Sequence, residues 1–336
     1  MARILHVTEC YAGGVRKAMD AITELAPQHE HHLLWAGDEN PTPGRYTSVR
    51  SLPPGLVRRS LAVRRGAEAL GPDVVHAHSS WAGVYARLLP ISRPLIYQPH
   101  CYKFDDPTSP APMRWFYRSA EALLVGRTQV TVVLSPHEEE LAARISANHR
   151  HFLPNVASID PDRVAVQRGT GRVVMLGRIT SQKDPAYFVE VAQRVLRARP
   201  ETKFVWIGDG DDVMRSKLLD AGIEITGWLD SQGVAEELAN TDVYFHSAAY
   251  EGFPLSVLDA AALELPVVVR SIDAFDGTQL LRAESIDEAS KQLVEILDGG
   301  ALRERAVQGS RHLNALMSRD AQRIALDHLY SASSEA

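Results

Sequence analysis

Two acids, Glu251 and Asp259, lie eight positions apart in a segment whose pattern predicts a loop followed by a helix. Pro254 favours a helix start close to itself, because proline presets φ and its missing N–H would have no partner in a first turn. At about 100° per residue, Asp259 lies about 40° from Leu255 and therefore near the buried side of that helix. A carboxylate there needs hydrogen-bond donors, and the hydroxyls of a sugar or ribose are natural ones. The simpler alternative is an acid that reaches solvent at the helix edge.

Two cations lie upstream of these acids, where Arg172-Val-Val-Met-Leu predicts a buried strand that breaks at Gly177. Arg178 and Lys183 flank the loop that follows. Cations just past the carboxyl end of a strand can bind a diphosphate, arginine through a bidentate fork and lysine as a point charge. Either residue could instead be an ordinary surface cation.

Further motifs accompany these residues in a fixed order. The second half of the chain contains Lys203-Phe-Val-Trp-Ile-Gly-Asp-Gly, Ile225-Thr-Gly-Trp and Asp242-Val-Tyr-Phe-His-Ser ahead of the Glu251 loop. With Arg178 and Lys183, they resemble the donor-binding half of family 4 retaining glycosyltransferases. The first half is similar to the bacterial members that build exopolysaccharide, capsule or O-antigen. The motifs that carry this similarity are Ile4-Leu-His-Val-Thr, Gly13-Gly-Val, Asp73-Val-Val-His-Ala-His-Ser and Pro94-Leu-Ile-Tyr-Gln-Pro-His.

The resemblance implies an α/β chain of the GT-B fold, with two Rossmann-like domains whose parallel sheets face a central cleft. Residues 1–156 are expected to form the acceptor-side domain and residues 157–315 the nucleotide-sugar-binding domain. A C-terminal helix over residues 316–336 is expected to cross back to the first domain. Strand-like apolar runs that alternate with helical patterns independently favour parallel sheets built from βαβ units. A chain of 336 residues, 45% hydrophobic, is long enough for two such cores.

The resemblance also implies a role for each matched residue. Arg178 and Lys183 are expected to neutralise the departing diphosphate. Glu251 is expected to contact the donor sugar, and Asp259 to contact the ribose hydroxyls, although the family more often has glutamate at the second position. His100 matches a family histidine that contacts the donor sugar or supports the developing oxocarbenium ion; a simple strand-end histidine is the alternative. The remaining residues expected to border the donor are Gly13, Gly14, Gly208, Gly227, Trp228, Phe253, Pro254 and Leu255.

The implied activity is transfer of a sugar, with retention of its anomeric configuration, from a nucleotide-diphosphate sugar to a hydroxyl of a glycan or polyprenyl-linked glycan. A UDP-sugar is the first choice of donor and a GDP-sugar the second. Because Arg178 and Lys183 would take the place of a metal ion at the diphosphate, neither a metal nor a cofactor is expected. Two other classes stay open: a sugar-nucleotide epimerase or hydrolase of the same fold, and a catalytically silent nucleotide-sugar-binding subunit.

Charge and hydropathy indicate where the protein acts. The run Ile4 to Val7 is too short for a signal peptide, and no later stretch approaches about 20 apolar residues, so a cytoplasmic protein is expected. Residues 1–150 carry 17 Lys+Arg against 14 Asp+Glu (+3), and the remainder 19 against 28 (−9). The overall charge of −6 and the lack of a recognised binding module argue against nucleic acid.

Two segments of the first half mix arginine with large apolar side chains, as helices at a membrane interface do. A core-packed helix with a solvated basic face gives the same pattern. The weak peripheral association with anionic lipid that we expect would fit a lipid-linked acceptor. The arginines concerned are Arg58, Arg59, Arg64, Arg65, Arg114 and Arg118.

Cysteine and histidine do not predict a metal site. A disulfide between Cys10 and Cys101 is not expected in a cytosolic protein. A zinc site would need several ligands at suitable spacing, but the obvious histidines are assigned to different strand ends. These histidines are His76, His78 and His100. Three others fall in a polar turn region and are predicted to lie at the surface: His29, His31 and His32.

Overall fold

The chain folds into two compact units in the computed structural model, which describes residues 1–334. The first unit comprises Met1–Val156 together with the residues from Ser318 onward, and the second comprises Ala157–Met317. Each unit is built on a parallel sheet whose strands alternate with helices along the chain. This is the layered α/β arrangement that the sequence pattern predicts.

The first unit contains a seven-stranded sheet in the order β3-β2-β1-β4-β5-β6-β7. Its strands are β1 (Arg3–Thr8), β2 (Glu30–Trp35), β3 (Ser48–Ser51), β4 (Val74–His78), β5 (Leu95–Gln98), β6 (Val130–Val133) and β7 (Arg150–Phe152). Its helices are α1 (Gly13–Leu25), α2 (Leu56–Leu70), α3 (Ser80–Leu88), α4 (Ala111–Leu124), α5 (Pro136–Arg144) and the last helix of the chain, α12 (Arg319–Ser334).

Helix α12 is part of the core of the first unit. Leu326 and Tyr330 pack in one buried cluster with Ile4 of β1 and Ile22 of α1. The side chain of Gln322 donates a hydrogen bond from Nε2 to the carbonyl oxygen of Pro154 (2.8 Å). These contacts anchor the end of the described chain to the amino-terminal sheet.

The second unit contains a six-stranded sheet in the order β10-β9-β8-β11-β12-β13. Its strands are β8 (Arg172–Leu176), β9 (Lys203–Ile207), β10 (Glu224–Ile225), β11 (Val243–His246), β12 (Val267–Arg270) and β13 (Leu281–Ala283). Its helices are α6 (Pro185–Ala198), α7 (Asp212–Asp220), α8 (Ser231–Ala239), α9 (Leu255–Ala262), α10 (Ile286–Asp298) and α11 (Ala301–Leu316).

Strand order reverses once in each sheet, between β1 and β4 in the first unit and between β8 and β11 in the second. Ligands of open α/β sheets bind beyond the carboxyl ends of the strands at such a reversal. In the second unit, the loops that follow β8 and β11 contain Arg178, Lys183 and Glu251. The topology therefore brings three of the residues predicted to be catalytic to one edge of one sheet.

The predicted surface position of two histidines is wrong. His31 and His32 lie in β2 and are 5% and 4% exposed. Strand β2 is hydrogen-bonded to β1 on one side and to β3 on the other, so it is an interior strand and not a turn. The polar residues His29-Glu-His-His led to the prediction of a turn, but a strand begins among them, at Glu30, and continues into the apolar Leu33 and Leu34.

Among the residues that the structure describes, no helix is both long enough and apolar enough to cross a membrane.

Candidate active site

The carboxyl ends of β8 and β11 bring a lysine and a glutamate into a buried ion pair. Lys183 closes a 3₁₀ turn, Ser181–Lys183, after β8, and Glu251 lies in the loop after β11. The Nζ atom of Lys183 contacts Oε1 of Glu251, and the two side chains are only 16% and 9% exposed. The side chain of Gln182 donates to the carbonyl oxygen of Tyr250 (3.1 Å), which ties the two loops together. The fold thus brings into contact two residues that are 68 positions apart.

Glu251 is ionised at neutral pH. Burial alone would raise the pKa of its carboxyl, but the charge of Lys183 and the imidazole of His246 lower that pKa to about 2. The Nε2 atom of His246 lies 3.3 Å from Oε1 of Glu251. Burial lowers the pKa of His246, so this imidazole is neutral. The charged members of the cluster are therefore one ammonium and one carboxylate.

Arg178 lies at the same edge but is exposed to solvent. Its guanidinium carbon is 5.9 Å from the centroid of the Trp228 ring, within range of a cation–π contact. Trp228 is itself 65% exposed and follows β10. The contact places the loop after β8 beside the loop after β10 and leaves the guanidinium N–H groups accessible to an anion.

Glycines allow the loops at this edge to approach one another. A Cβ atom on Gly208 (φ 132°) would overlap the carbonyl oxygen of Gly177, and one on Gly210 would overlap that of Ile179. Gly208 also forms an isolated bridge with Gly227. Packing against the β8 loop therefore explains the glycine at position 208, and the position predicted for Gly208 and Gly227 beside the nucleotide base stays a prediction.

Helix α9 begins one residue after Pro254, which caps it in an extended conformation (φ −77°, ψ 126°). Phe253 and Pro254 are buried, whereas Leu255 is partly exposed at the first turn. The ring of Phe253 packs edge-on against Phe275, with centroids 5.9 Å apart. The side chain of Phe253 therefore belongs to the core, and any contact with a ligand here would come from the backbone.

Asp259 of α9 finds its hydrogen-bond donors in Ser158. The backbone N–H of Ser158 donates to Oδ1 (2.5 Å) and its hydroxyl donates to Oδ2 (2.8 Å). The acid is 1% exposed, so the partner that the sequence demanded is a serine. The ribose contact of Asp259 stays a prediction, and it requires the carboxylate to accept a further hydrogen bond or to release Ser158.

In the first unit, the start of α1 is capped by an acid. The N–H of Gly13 (φ 51°) donates to Oε1 of Glu39 (2.7 Å), and Arg16 forms an ion pair with the same carboxylate (2.5 Å). Within the described residues, no atom lies within 4 Å of a Cβ placed on Gly13 or Gly14, so this turn has open space beside it. Glu39 satisfies the positive end of the helix dipole, where the predicted phosphate would also bind.

His100 lies just past β5 in a turn that is unusual for residues with side chains. His100 and Cys101 have φ values of 55° and 108°. Glu138 of α5 supports this turn, because Oε1 accepts the N–H of Cys101 and Oε2 accepts that of Leu134, both at 2.8 Å. Burial raises the pKa of Glu138 to about 7, against the lowering effect of these two N–H groups. A buried acid therefore fixes the backbone beside His100.

A chain of histidines, here called the histidine chain, runs from His100 across the sheet. The Nε2 atom of His100 lies 3.2 Å from Nδ1 of His78. In the same way, Nε2 of His78 lies 3.0 Å from Nδ1 of His6. The Nε2 atom of His6 lies 2.9 Å from Nδ1 of His31, whose own Nε2 lies 2.9 Å from the carbonyl oxygen of Ala26. His78 and His100, which were assigned to different strand ends, are thus in direct contact.

His76 lies beside this chain. His6, His76 and His78 bring three ring nitrogens within 4.8 Å of one another. Zinc at 2.0–2.1 Å from each ligand would hold the nitrogens about 3.4 Å apart. The facing nitrogens of His6 and His78 are instead 3.0 Å apart, and Nδ1 of His76 lies 3.0 Å from the hydroxyl of Tyr330. The geometry is that of hydrogen bonds. Within the described residues, Cys10 and Cys101 do not form a disulfide.

Helix α4 presents apolar side chains at its surface. Trp115, Phe116 and Leu123 are 71%, 58% and 84% exposed. With Arg114 and Arg118, Trp115 also lines a surface cavity of about 280 Å³. Exposed aromatic rings beside arginines are compatible with an interfacial helix. Other side chains of α4 pack against the core of the first unit, so the core-packed alternative also stays open.

The arginines of α2 differ from one another. Arg58, Arg64 and Arg65 are exposed, although Arg64 pairs with Glu68 four residues later (2.8 Å). Arg59 is partly buried, and it donates to the hydroxyl of Tyr85 (3.0 Å). Arg59 is therefore a poor candidate for binding lipid because it is partly buried. Arg114 and Arg118 also donate to backbone carbonyl oxygens, at 3.2 and 3.5 Å, but they are exposed.

Both halves of the chain match family models of sugar-transferring enzymes. Residues 12–156 match the model described as a glycosyl transferase 4-like domain, and residues 170–298 match the model of glycosyl transferases group 1. The chain belongs to the family 4 glycosyltransferases. Its two parallel sheets are the GT-B fold that the resemblance implied. The predicted family and the predicted fold are therefore both confirmed.

Two bacterial proteins are similar in sequence to this glycosyltransferase over two thirds or more of its length. The UDP-Gal:alpha-D-GlcNAc-diphosphoundecaprenol alpha-1,3-galactosyltransferase of Escherichia coli is 24% identical over 265 residues, which is 68% of this chain and 67% of that enzyme. An uncharacterized 41.2 kDa protein from the cps region of Klebsiella pneumoniae is 23% identical over 334 residues, 88% of this chain and 89% of that protein.

Solved structures with the same fold cover nearly the whole glycosyltransferase. The sucrose-phosphate synthase of Thermosynechococcus elongatus superposes with a TM-score of 0.80 at 15% identity and 99% coverage of both chains. HepE of Anabaena, in complex with UDP and glucose, superposes with a TM-score of 0.76 at 12% identity and 99% coverage of both chains. At these identities the similarity supports the fold and not the substrate.

Sequence reasoning missed several residues that shape the glycosyltransferase. Glu138 does follow a sequence signal: Ser135 caps α5 and Glu138 lies three residues later, as in a capping box. Its side chain, however, bonds the N–H groups of Cys101 and Leu134. His6 and His31 carried no such signal, because their contacts join different strands.

Proposed function

We propose that this glycosyltransferase moves a sugar, with retention of configuration, from a nucleotide-diphosphate sugar to a hydroxyl of a glycan or lipid-linked glycan. A UDP-sugar is the first choice of donor and a GDP-sugar the second. The observation that carries the proposal is the buried contact of Lys183 with Glu251 where the strand order of the second sheet reverses. An open α/β sheet binds its ligand at that point.

The two cations supply the charge that a departing diphosphate requires. Lys183 holds its ammonium group in a site that is mostly closed to water, where an electrostatic contact is stronger than in bulk solvent. Arg178 is accessible and can offer two parallel N–H groups to one phosphate. Together they would stabilise the negative charge that develops on the leaving group, without a metal ion in that role.

Glu251 orients Lys183 and carries the negative charge of the cluster. Its pKa of about 2 means that it is a carboxylate at every pH at which the enzyme would work. An ionised carboxylate accepts hydrogen bonds and cannot act as a proton donor. The role that fits is acceptance of a hydrogen bond from a hydroxyl of the donor sugar, while the departing phosphate takes the proton of the acceptor hydroxyl.

Known relatives support a nucleotide-sugar donor. The Escherichia coli relative is named for UDP-Gal, and a Mycolicibacterium smegmatis relative, 26% identical over 66% of this chain and 62% of its own length, is named as a GDP-mannose-dependent alpha-mannosyltransferase. The Escherichia coli name also includes a diphosphoundecaprenol acceptor. Because the exposed aromatic side chains of α4 lie beside Arg114 and Arg118, we include a lipid-linked acceptor and peripheral binding at the inner face of the cell membrane in the proposal.

A panel of UDP- and GDP-sugars, with and without a lipid-linked glycan acceptor, tests the proposal. We expect nucleotide release that depends on the acceptor, and a product whose new linkage has the anomeric configuration of the donor by proton NMR. Conversion of the donor without acceptor would indicate an epimerase or hydrolase. Nucleotide-sugar binding without turnover under any condition would indicate a silent binding subunit, and inversion at the anomeric carbon would contradict retention.

A further inference from the structure

The histidine chain has a backbone carbonyl at one end, and that carbonyl determines where the ring protons lie. A carbonyl oxygen can only accept, so His31 donates to Ala26 from Nε2 (2.9 Å). A neutral imidazole has a single N–H group, so Nδ1 of His31 is an acceptor. The adjacent ring, His6, must therefore carry its proton on Nε2, which lies 2.9 Å from that Nδ1.

The same step repeats along the chain. Because His6 has its proton on Nε2, its Nδ1 accepts, and Nε2 of His78 at 3.0 Å is the donor. Nδ1 of His78 then accepts from Nε2 of His100 at 3.2 Å. One proton assignment satisfies all four contacts, and it leaves the lone pair of His100 on Nδ1.

Neutral rings are a condition of this assignment, and burial provides them. His6 and His78 are completely buried, and His31 is 5% exposed. Burial is the main cause that lowers the pKa of each of these imidazoles, and burial lowers the pKa of His100 to about 4. At neutral pH the four rings therefore carry one proton each.

We infer that His31, His6 and His78 are positioning residues that fix His100 as the tautomer with a bare Nδ1. The ligand that this atom recognises is a hydrogen-bond donor without charge, of which a sugar hydroxyl is the example relevant here. The assignment to a sugar hydroxyl rests on the proposed function, whereas the tautomer follows from the hydrogen bonds between buried, neutral rings.

Two separate devices then act on one residue. Glu138 holds the backbone of the His100 turn through the N–H of Cys101 (2.8 Å). The histidine chain holds the ring and its proton from the other side, through His78. If the ring of His100 could flip or exchange tautomers, Nδ1 would be a hydrogen-bond donor in some molecules and an acceptor in others. The Glu138 contact and the histidine chain therefore both favour Nδ1 as an acceptor.

Nitrogen-15 NMR of protein labelled in the histidine rings tests the tautomers directly. In the unmodified full-length protein at neutral pH, we expect His31, His6, His78 and His100 each to show a protonated Nε2 and an unprotonated Nδ1. A protonated Nδ1 on His100, or averaged shifts on its two nitrogens, would overturn the inference. One equivalent of zinc per protein molecule, found by elemental analysis, would also overturn it, because the metal would bind ring nitrogens that form the hydrogen bonds of the histidine chain.

Substitution at the far end of the chain tests the coupling. His31→Leu removes the acceptor of His6, so His6 can shift its proton to Nδ1 and the order of donors can reverse as far as His100. We expect the His100 nitrogens to change towards the opposite tautomer and donor turnover to fall about 10-fold, as for loss of one hydrogen bond. The matched control is His32→Leu on the same strand. His32 is also buried, but it contacts Ser48 and is not part of the histidine chain.

Unchanged His100 nitrogen shifts in folded His31→Leu would contradict the inference. If His31→Leu does not fold, the spectrum of the unmodified protein still decides it. The proposed function fails separately: absence of sugar transfer by the unmodified enzyme would reject that proposal, while the NMR signature of the four histidines would be unaffected.

Discussion

Lys183 and Glu251 form an ion pair that joins the loops after β8 and β11 across the point where the strand order of the second sheet reverses. The pair is nearly closed to solvent, so each charge depends on the other: an unpaired buried charge costs about 3–5 kcal/mol. A substitution of either residue alone therefore changes both the chemistry of the site and the stability of the unit. Experiments on this site need variants that separate the two effects.

The contact of Asp259 with Ser158 leads to the first prediction. If Asp259 also binds ribose, Asp259→Ala should weaken UDP binding about 10- to 100-fold in calorimetry, as expected for loss of a charged hydrogen bond worth about 1.5–3 kcal/mol. Ser158→Ala is the matched control, because it retains the N–H bond to Oδ1 and removes only the hydroxyl bond to Oδ2. Unchanged UDP affinity in folded Asp259→Ala would show that the acid does not bind ribose.

Acid should destabilise the first unit through its buried histidines. The native pKa values lie below the unfolded value of about 6.5, at about 3 for His76 and about 4 for His100. At a pH between the native pKa and about 6.5, the unfolded protein binds more protons than the native protein. The free energy of unfolding therefore falls as the pH decreases below about 6.5. Each such histidine contributes a slope of up to about 1.4 kcal/mol per pH unit. Glu138, whose pKa is raised to about 7, opposes one histidine in this range, so the several buried histidines determine the sign.

Scanning calorimetry from neutral pH to pH 5 measures this slope. His76→Phe should make the pH dependence shallower, because it removes one of the buried titrating rings. His312→Gln should leave it unchanged, since His312 is exposed on α11. Equal slopes in all three proteins would show that the buried rings are not the cause.

Chelation should leave the activity intact. Arg178 and Lys183 are proposed to act where other transferases use a divalent cation, so turnover in excess EDTA should match turnover in its absence. The measurement is the initial rate of nucleotide release, before and after chelation. Loss of activity that magnesium or manganese restores would contradict the metal-independent mechanism.

Anionic lipid should bind the basic and aromatic surface of α4. Each basic residue near such a surface contributes about 1 kcal/mol, so Arg114→Gln with Arg118→Gln should weaken partitioning about 30-fold. Co-sedimentation with anionic and neutral vesicles at low and high salt measures this, and binding should weaken with salt. The control pair, Arg197→Gln with Arg305→Gln, removes two exposed arginines from the second unit. Equal pelleting by all proteins, or none, would argue for a soluble acceptor.

The sequence predicted the fold class, and it predicted that the candidate site residues follow the carboxyl ends of strands, because both depend on local pattern. Alternating strands and helices imply parallel sheets, and glycines and charges just after a strand mark its carboxyl end. Arg178 and Lys183 were found in this way, whereas Glu251 was found from the loop-to-helix pattern around Pro254. Their roles at a bound donor stay predictions.

Contacts between distant segments could not be predicted. Nothing in the residues around Asp259 indicates that Ser158 donates two hydrogen bonds to it, because 101 positions separate them. His31 appeared to be a surface residue since its neighbours are polar, yet the pairing of β1 with β2 buries it against His6. Such contacts are decided by strand order, which single-sequence patterns do not specify.

The most direct test of the central claim is turnover with saturating donor in three variants of the cation site: Arg178→Ala, Lys183→Met, and Lys183→Met combined with Glu251→Gln. The double variant leaves no unpaired charge, so it should fold where Lys183→Met alone is destabilised. We predict that all three lose at least about 10²-fold in turnover, while Arg305→Ala retains normal activity. Near-normal turnover in Arg178→Ala and in the folded double variant would contradict the assignment of these cations to the diphosphate.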